Sequence, residues 1–118
     1  MFTEMLDRVL TGTPGAKAVT LMGFDGIEIA SSSTRESAEA HQIAVLELGN
    51  VAGELRRIAE SVGTGEMEEF SVRMGELTTL LRPLTEDYFL ALSLGPSGNT
   101  GKGRYLLRIV GSQLREEL

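Results

Sequence analysis

The sequence contains no cysteine. Disulfides and thiolate metal ligands are therefore excluded, and the composition fits a reducing, cytoplasmic setting. There is one histidine, His41, and a single imidazole without thiolates cannot build a typical zinc site. Aromatic residues make up only 5% of the chain, and no cofactor ligand set is evident, so no cofactor is expected. No apolar run approaches the ~20 residues of a membrane span, and no membrane insertion is expected. The first residues carry Glu4 and Asp7, not a basic stretch ahead of an apolar one, so no secretory signal is expected there. Basic residues are scarce too: 11 Lys and Arg stand against 17 Asp and Glu, for a net charge of -6. They are scattered apart from the adjacent pair Arg56-Arg57, which argues against nucleic acid as a partner.

What remains is an ordinary globular composition, 42% hydrophobic over 118 residues. That length reads as one domain, residues 1–118, able to bury roughly two thirds of its unfolded surface. Residues 2–10 form a short helix with Phe2, Met5, Leu6 and Val9 on one face. Glycine and proline in residues 11–15 end it. Residues 16–22 read as a central strand. Phe24-Asp25-Gly26 is a tight turn, and residues 27–31 return as a second strand, making a hairpin. Ser32, Ser33, Thr34 and Ser37 offer caps for a long helix over residues 37–62, stopped by Gly63-Thr64-Gly65. Three strands follow, over residues 67–74, 77–84 and 88–94. In the first, Phe70, Val72 and Met74 face one way and Glu69, Ser71 and Arg73 the other. A loop over residues 95–101 leads to a last helix over residues 102–118. The strands are joined by turns too short for parallel crossovers, so the sheet should be antiparallel.

The long helix carries more apolar surface than one core contact needs. One stripe, Ala44, Leu48, Val51, Leu55, Ile58 and Val62, is expected to pack on the sheet. A second, of mostly small residues, runs Ala38, His41, Val45, Gly49, Ala52, Arg56 and Ala59. Such a seam suggests another backbone close by. Ile43 and Leu46 fall on neither. The surplus points to an interaction protein, not an enzyme.

Sites of chemistry are not evident elsewhere. Lys102 in the last loop is followed by Gly103, not Ser or Thr, and Pro96 stands where a phosphate loop needs glycine. His41 reads as a partly exposed helix residue, with nothing to place a reactive serine beside it. Glu66, Glu68 and Glu69 read as solvated charge on an edge strand, or as a dock for a basic partner. Arg56 and Arg57 read as surface or interface cations, with an arginine finger as the sharper alternative.

The order of elements resembles the roadblock/dynein-light-chain family, in particular its bacterial MglB-like members. The matching pieces are Pro14-Gly15-Ala16-Lys17-Ala18, Phe24-Asp25-Gly26-Ile27, the long helix, Tyr88-Phe89-Leu90-Ala91-Leu92 and Gly98-Asn99-Thr100-Gly101. The resemblance implies a profilin-like (longin-like/roadblock) α/β sandwich. Its order would be α-β-β-α-β-β-β-α, with a five-stranded antiparallel sheet in order 2-1-5-4-3 and helices on both faces. It implies a homodimer joined by its third strands, with the long helices side by side. It also implies binding to a small Ras-like GTPase, sometimes with activation of hydrolysis. Longer MglB-like members carry a tail after the last helix; this sequence ends at Leu118, so no tail-dependent role is expected.

On this reading the dimer interface comprises Val45, Gly49, Ala52, Arg56 and Ala59 of the helix, with Glu69, Phe70, Ser71, Val72 and Arg73 of the strand. The outward residues Ile43, Leu46, Asn50, Gly53 and Arg57 receive the GTPase. The expected function is a non-catalytic homodimeric regulator or adaptor of such a GTPase. A dimeric scaffold for a non-GTPase complex and a small-molecule sensor are the other readings. An unpaired edge over residues 67–74 is the hazard that self-pairing would remove.

Overall fold

The computed structural model describes residues 1–34 and 38–118. The chain runs α1 (Phe2–Gly12), β1 (Ala16–Gly23), β2 (Glu28–Ser33), α2 (Glu39–Val62), β3 (Phe70–Arg73), β4 (Thr78–Pro83), β5 (Tyr88–Leu94) and α3 (Thr100–Glu117). The strands form one antiparallel sheet in order β2-β1-β5-β4-β3. The element order, the sheet order and the helices on both faces are those the resemblance implied.

Several boundaries differ from expectation, for local reasons. Ser32 and Ser33 belong to β2, opposite Val19 and Ala18, and the Ser32 hydroxyl donates to the Asp7 carboxylate. They therefore do not cap α2, and the expected cap Ser37 lies outside the described residues. At α3, Asn99 Oδ1 accepts from the Lys102 backbone N–H at 3.0 Å. That cap starts the helix at Thr100, earlier than its apolar periodicity suggests. The hairpin turn uses Gly26 at φ 89°, as the Asp-Gly pair predicts.

The sheet separates two cores of unequal bulk. On one face, Leu6 and Val9 of α1 and Leu107, Val110 and Leu114 of α3 pack on Val19, Leu21, Leu80, Leu90, Leu92 and Leu94. On the other face, among the described residues, α2 alone covers the sheet, with Val45 and Ala52 against Met22, Leu81, Phe89 and Ala91.

Here the stripe assignment reverses. The residues of α2 buried on the sheet are His41, Val45, Gly49 and Ala52, the seam expected to meet a second copy. Of the larger stripe, Ala44, Leu48 and Leu55 are half-buried, and the rest is exposed, at 45% for Val51, 57% for Ile58 and 62% for Val62. The reason is shape. Phe89 stands up from the sheet, and a side-chain carbon on Gly49 would lie 2.9 Å from its Cζ. Only a bare backbone can sit there, so the small-residue seam faces the sheet.

Substitution of two helix glycines should separate packing from propensity. Gly53 faces solvent with nothing within 4 Å of a new Cβ, so Gly53→Ala should stabilise the protein by up to ~1 kcal/mol. Gly49→Ala gains the same propensity but pushes Phe89 aside, for a net loss of about 1–2 kcal/mol. Denaturant melts of both variants measure this. Equal stabilisation by the two would contradict the close seat on Phe89.

Candidate interaction site

With the small seam spent on the sheet, α2 presents two apolar flanks. On one, Leu48 packs beside Met67 and Phe70 against the smaller core, and Val51, Leu55, Ile58 and Val62 continue along the helix at steps of three and four. On the other, Leu46 reaches the β1–β2 turn, where a side-chain carbon on Gly26 would lie 3.4 Å from its Cδ1. Ile43 is 61% and Leu46 47% exposed, beside exposed Ile27. Asn50, Gly53 and Arg57 are also exposed.

The strand half of the expected interface is in place as an edge. β3 pairs only with β4, Phe70 opposite Leu81 and Arg73 opposite Thr78. Phe70 and Val72 are half-buried on the α2 side, and Ser71 and Arg73 are exposed on the other. Glu69 lies just outside the ladder, its carboxylate 3.5 Å from Arg104 Nε.

The helix half needs correction. Val45, Gly49 and Ala52 are buried within the single chain, so they have no surface left for a partner. Arg56 is half-buried and pinned: its guanidinium donates to the Thr85 carbonyl at 2.7 Å and the Glu86 carbonyl at 2.9 Å. The same group lies 4.1 Å from the centroid of Phe24, whose ring stands 4.9 Å from that of Phe89. Arg56 is thus a clamp between α2, the hairpin turn and the β4–β5 turn, not a mobile finger. Ala59 is half-buried. Arg57 is exposed and pairs with Glu54, whose carboxyl is held below its ordinary pKa by the hydrogen bond from Arg57.

His41 is also corrected, from partly exposed to buried. Its Nε2 lies 2.8 Å from Thr20 Oγ1 and its Nδ1 2.6 Å from Ser93 Oγ, which in turn lies 2.8 Å from Thr79 Oγ1. The structure does place a serine beside the histidine. Ser93 has no exposure, however, so no substrate can reach it, and among the described residues the hydrogen-bond chain ends in two threonine hydroxyls with no carboxylate on the imidazole. The network is a buried polar tie between helix and sheet. Hydroxyls either donate or accept, so a neutral imidazole satisfies both neighbours. Burial lowers the His41 pKa from 6.5 to about 4. The signal available in the sequence was three polar residues, Thr20, Thr79 and Ser93, inside otherwise apolar strands.

No protein-family model matches the chain, and no curated protein does. Among solved structures it is similar to MglC from Myxococcus xanthus, at 37% identity over 99% of this chain and 98% of that one, with a TM-score of 0.72. It shares its fold with a Roadblock/LC7 domain from Streptomyces avermitilis, at 11% identity over 98% and 95% of the two chains and a TM-score of 0.83. It also shares the fold of an MglB in a tetrameric arrangement, at 16% identity over 96% and 84% and a TM-score of 0.83.

The His41 tie makes stability depend on pH in a defined window. Between pH 6.5 and about 4 the unfolded chain binds a proton that the folded chain refuses. Stability is therefore lost as pH falls through this window and levels off below it, with about 2 kcal/mol gone between pH 7 and pH 5. Urea titrations across this range should show that slope, and His41→Gln should remove its histidine component. An unchanged slope in the variant would refute the buried neutral imidazole.

Proposed function

The chain belongs to the roadblock family, among its MglB- and MglC-like members, and from that premise we propose that it is a homodimeric adaptor of a small Ras-like GTPase. One observation carries the dimer: β3 is an unpaired sheet edge, and α2, which exposes Val51, Ile58 and Val62, packs Leu48 of the same flank on the core cluster that also holds Phe70 of β3. Pairing β3 with its two-fold copy satisfies the open N–H and C=O groups of the edge. It also brings the two exposed helix flanks together, where each half-exposed Val or Ile contributes about 1 kcal/mol on burial. The interface we propose therefore keeps Glu69, Phe70, Ser71, Val72 and Arg73 and replaces the small-residue seam by Leu48, Val51, Leu55, Ile58 and Val62. An isologous contact of this kind needs only one self-complementary patch.

The opposite flank, with Ile43, Leu46, Asn50, Gly53 and Arg57, remains open in such a dimer. Two large apolar residues within a polar rim are the composition of an interface core. We assign the GTPase to it. Arg56 is committed to backbone carbonyls and Arg57 to Glu54. This favours recruitment or localisation of the GTPase over donation of an arginine to the nucleotide. The same observation supports the second reading, a dimeric scaffold whose partner is not a GTPase.

Two substitutions test these assignments. Ile58→Glu adds a charge where the monomer is open to water, so the fold should persist while the dimer dissociation constant rises about tenfold or more in sedimentation equilibrium. A dimer of unchanged affinity would remove α2 from the interface. Leu46→Glu should leave the dimer intact and weaken capture of the nucleotide-loaded GTPase by about tenfold or more. Undiminished binding would refute the partner face, and binding with unchanged hydrolysis in the native protein would favour recruitment.

A further inference from the structure

Basic residues are few in this chain, yet several gather on the face of the sheet opposite α2. From Asp87 to Glu116 there is no acidic residue between, while Lys102, Arg104, Arg108 and Arg115 all fall in that interval. On this face α1 lies over β1 and β2, and α3 over β5 and β4. The outer strand β3 projects beyond α3, with Ser71 and Arg73 exposed. Arg82 of β4 sits at the same border, its Cδ 3.9 Å from where a side chain on Gly111 would begin. Arg104 is tied to Glu69. Among the described residues Arg73, Arg82 and Arg115 have no ion pair, and Arg108 contacts only the Tyr105 ring, at 5.5 Å. The acidic groups facing this border are Glu69, already engaged, and Glu60, Glu66, Glu68 and Glu86, which line one cleft with Arg82 and Arg115.

We propose that in the dimer this border becomes a basic trough that binds an acidic polypeptide segment. The inference rests on the β3-to-β3 dimer proposed above. Edge pairing places two copies of β3 side by side as a floor, with one α3 as a wall on each side. Arg73, Arg104 and Arg108 then line it twice, while Arg82 and Arg115 lie at its ends in the glutamate-lined cleft. Strands ~4.8 Å apart make the uncovered floor about 10–15 Å wide, enough for one extended chain or one helix of about 10 Å. A flat bilayer would touch the helix ridges but not Arg73 on the strand floor between them. Single-stranded nucleic acid would need a row of stacking aromatics, and Arg108 has the single ring of Tyr105 beside it. Guanidinium groups take carboxylates through paired hydrogen bonds, which suits runs of Glu and Asp. The trough lies on the face away from the GTPase flank, so the two partners do not compete for surface.

The test uses the full chain and a fluorescently labelled peptide of alternating Glu and Asp, with anisotropy as the readout. Sedimentation first establishes the dimer at the concentration used. The peptide should bind, and more weakly as salt is raised. Arg73→Glu with Arg108→Glu should weaken binding by about tenfold or more, while Arg8→Glu on α1, outside the trough, should not. A dimer that ignores the peptide, or binds it equally well after the double reversal, overturns the trough and leaves the dimer standing. Tighter binding of single-stranded DNA or phosphatidylserine vesicles overturns the choice of a polypeptide. A monomer in sedimentation overturns the dimer, and the trough with it.

Discussion

The backbone of Gly49, seated on the ring of Phe89, decides where the long helix can lie. A side-chain carbon at that position would stand 2.9 Å from Phe89 Cζ, so the helix must present its barest line to the sheet. Everything around the seat follows from that closeness. His41, one face-repeat earlier, comes within hydrogen-bond reach of Thr20 and Ser93. Arg56, further along the same line, reaches the Thr85 and Glu86 carbonyls and covers Phe24. The helix is held by an aromatic socket, a polar tie and a cationic clamp, not by a thick apolar stripe.

The consequence is functional. A helix that spends its small residues on its own sheet keeps its large ones for others. Val51, Ile58 and Val62 stand exposed, and β3 is an open edge of the sheet. An unpaired edge and an adjacent apolar flank are each a liability in a free monomer. Together they form one surface that a second copy can cover. The other flank, around Ile43 and Leu46, is smaller and sits apart, near the hairpin turn. Separation of the two flanks by the helix itself would let the proposed self-association and partner capture occur at once.

Charge divides the molecule along a different line. The α2 side exposes Val51, Ile58 and Val62, while the border of α3 and β3 carries Arg73, Arg104 and Arg108. In an acidic chain such a concentration is costly through self-repulsion unless a counter-charge arrives. The two sheet faces therefore differ in the chemistry they offer, apolar on one side and guanidinium on the other.

The sequence by itself determined the number, type and order of the elements, because strand alternation, helix periodicity and the Gly-containing turns are local signals. It also determined that the helix bears two unlike stripes and a surplus of apolar residues. Which stripe goes inward was decided only by tertiary structure. Apolarity favoured the Leu48 to Val62 stripe, yet fit to Phe89 and to the polar set Thr20, Thr79 and Ser93 selected the seam of His41, Val45, Gly49 and Ala52. Those partners lie on strands distant in sequence, so no periodicity within the helix could reveal them. The same distance concealed the burial of His41, the clamp on Arg56 and the assembly of arginines from three separate elements along one border.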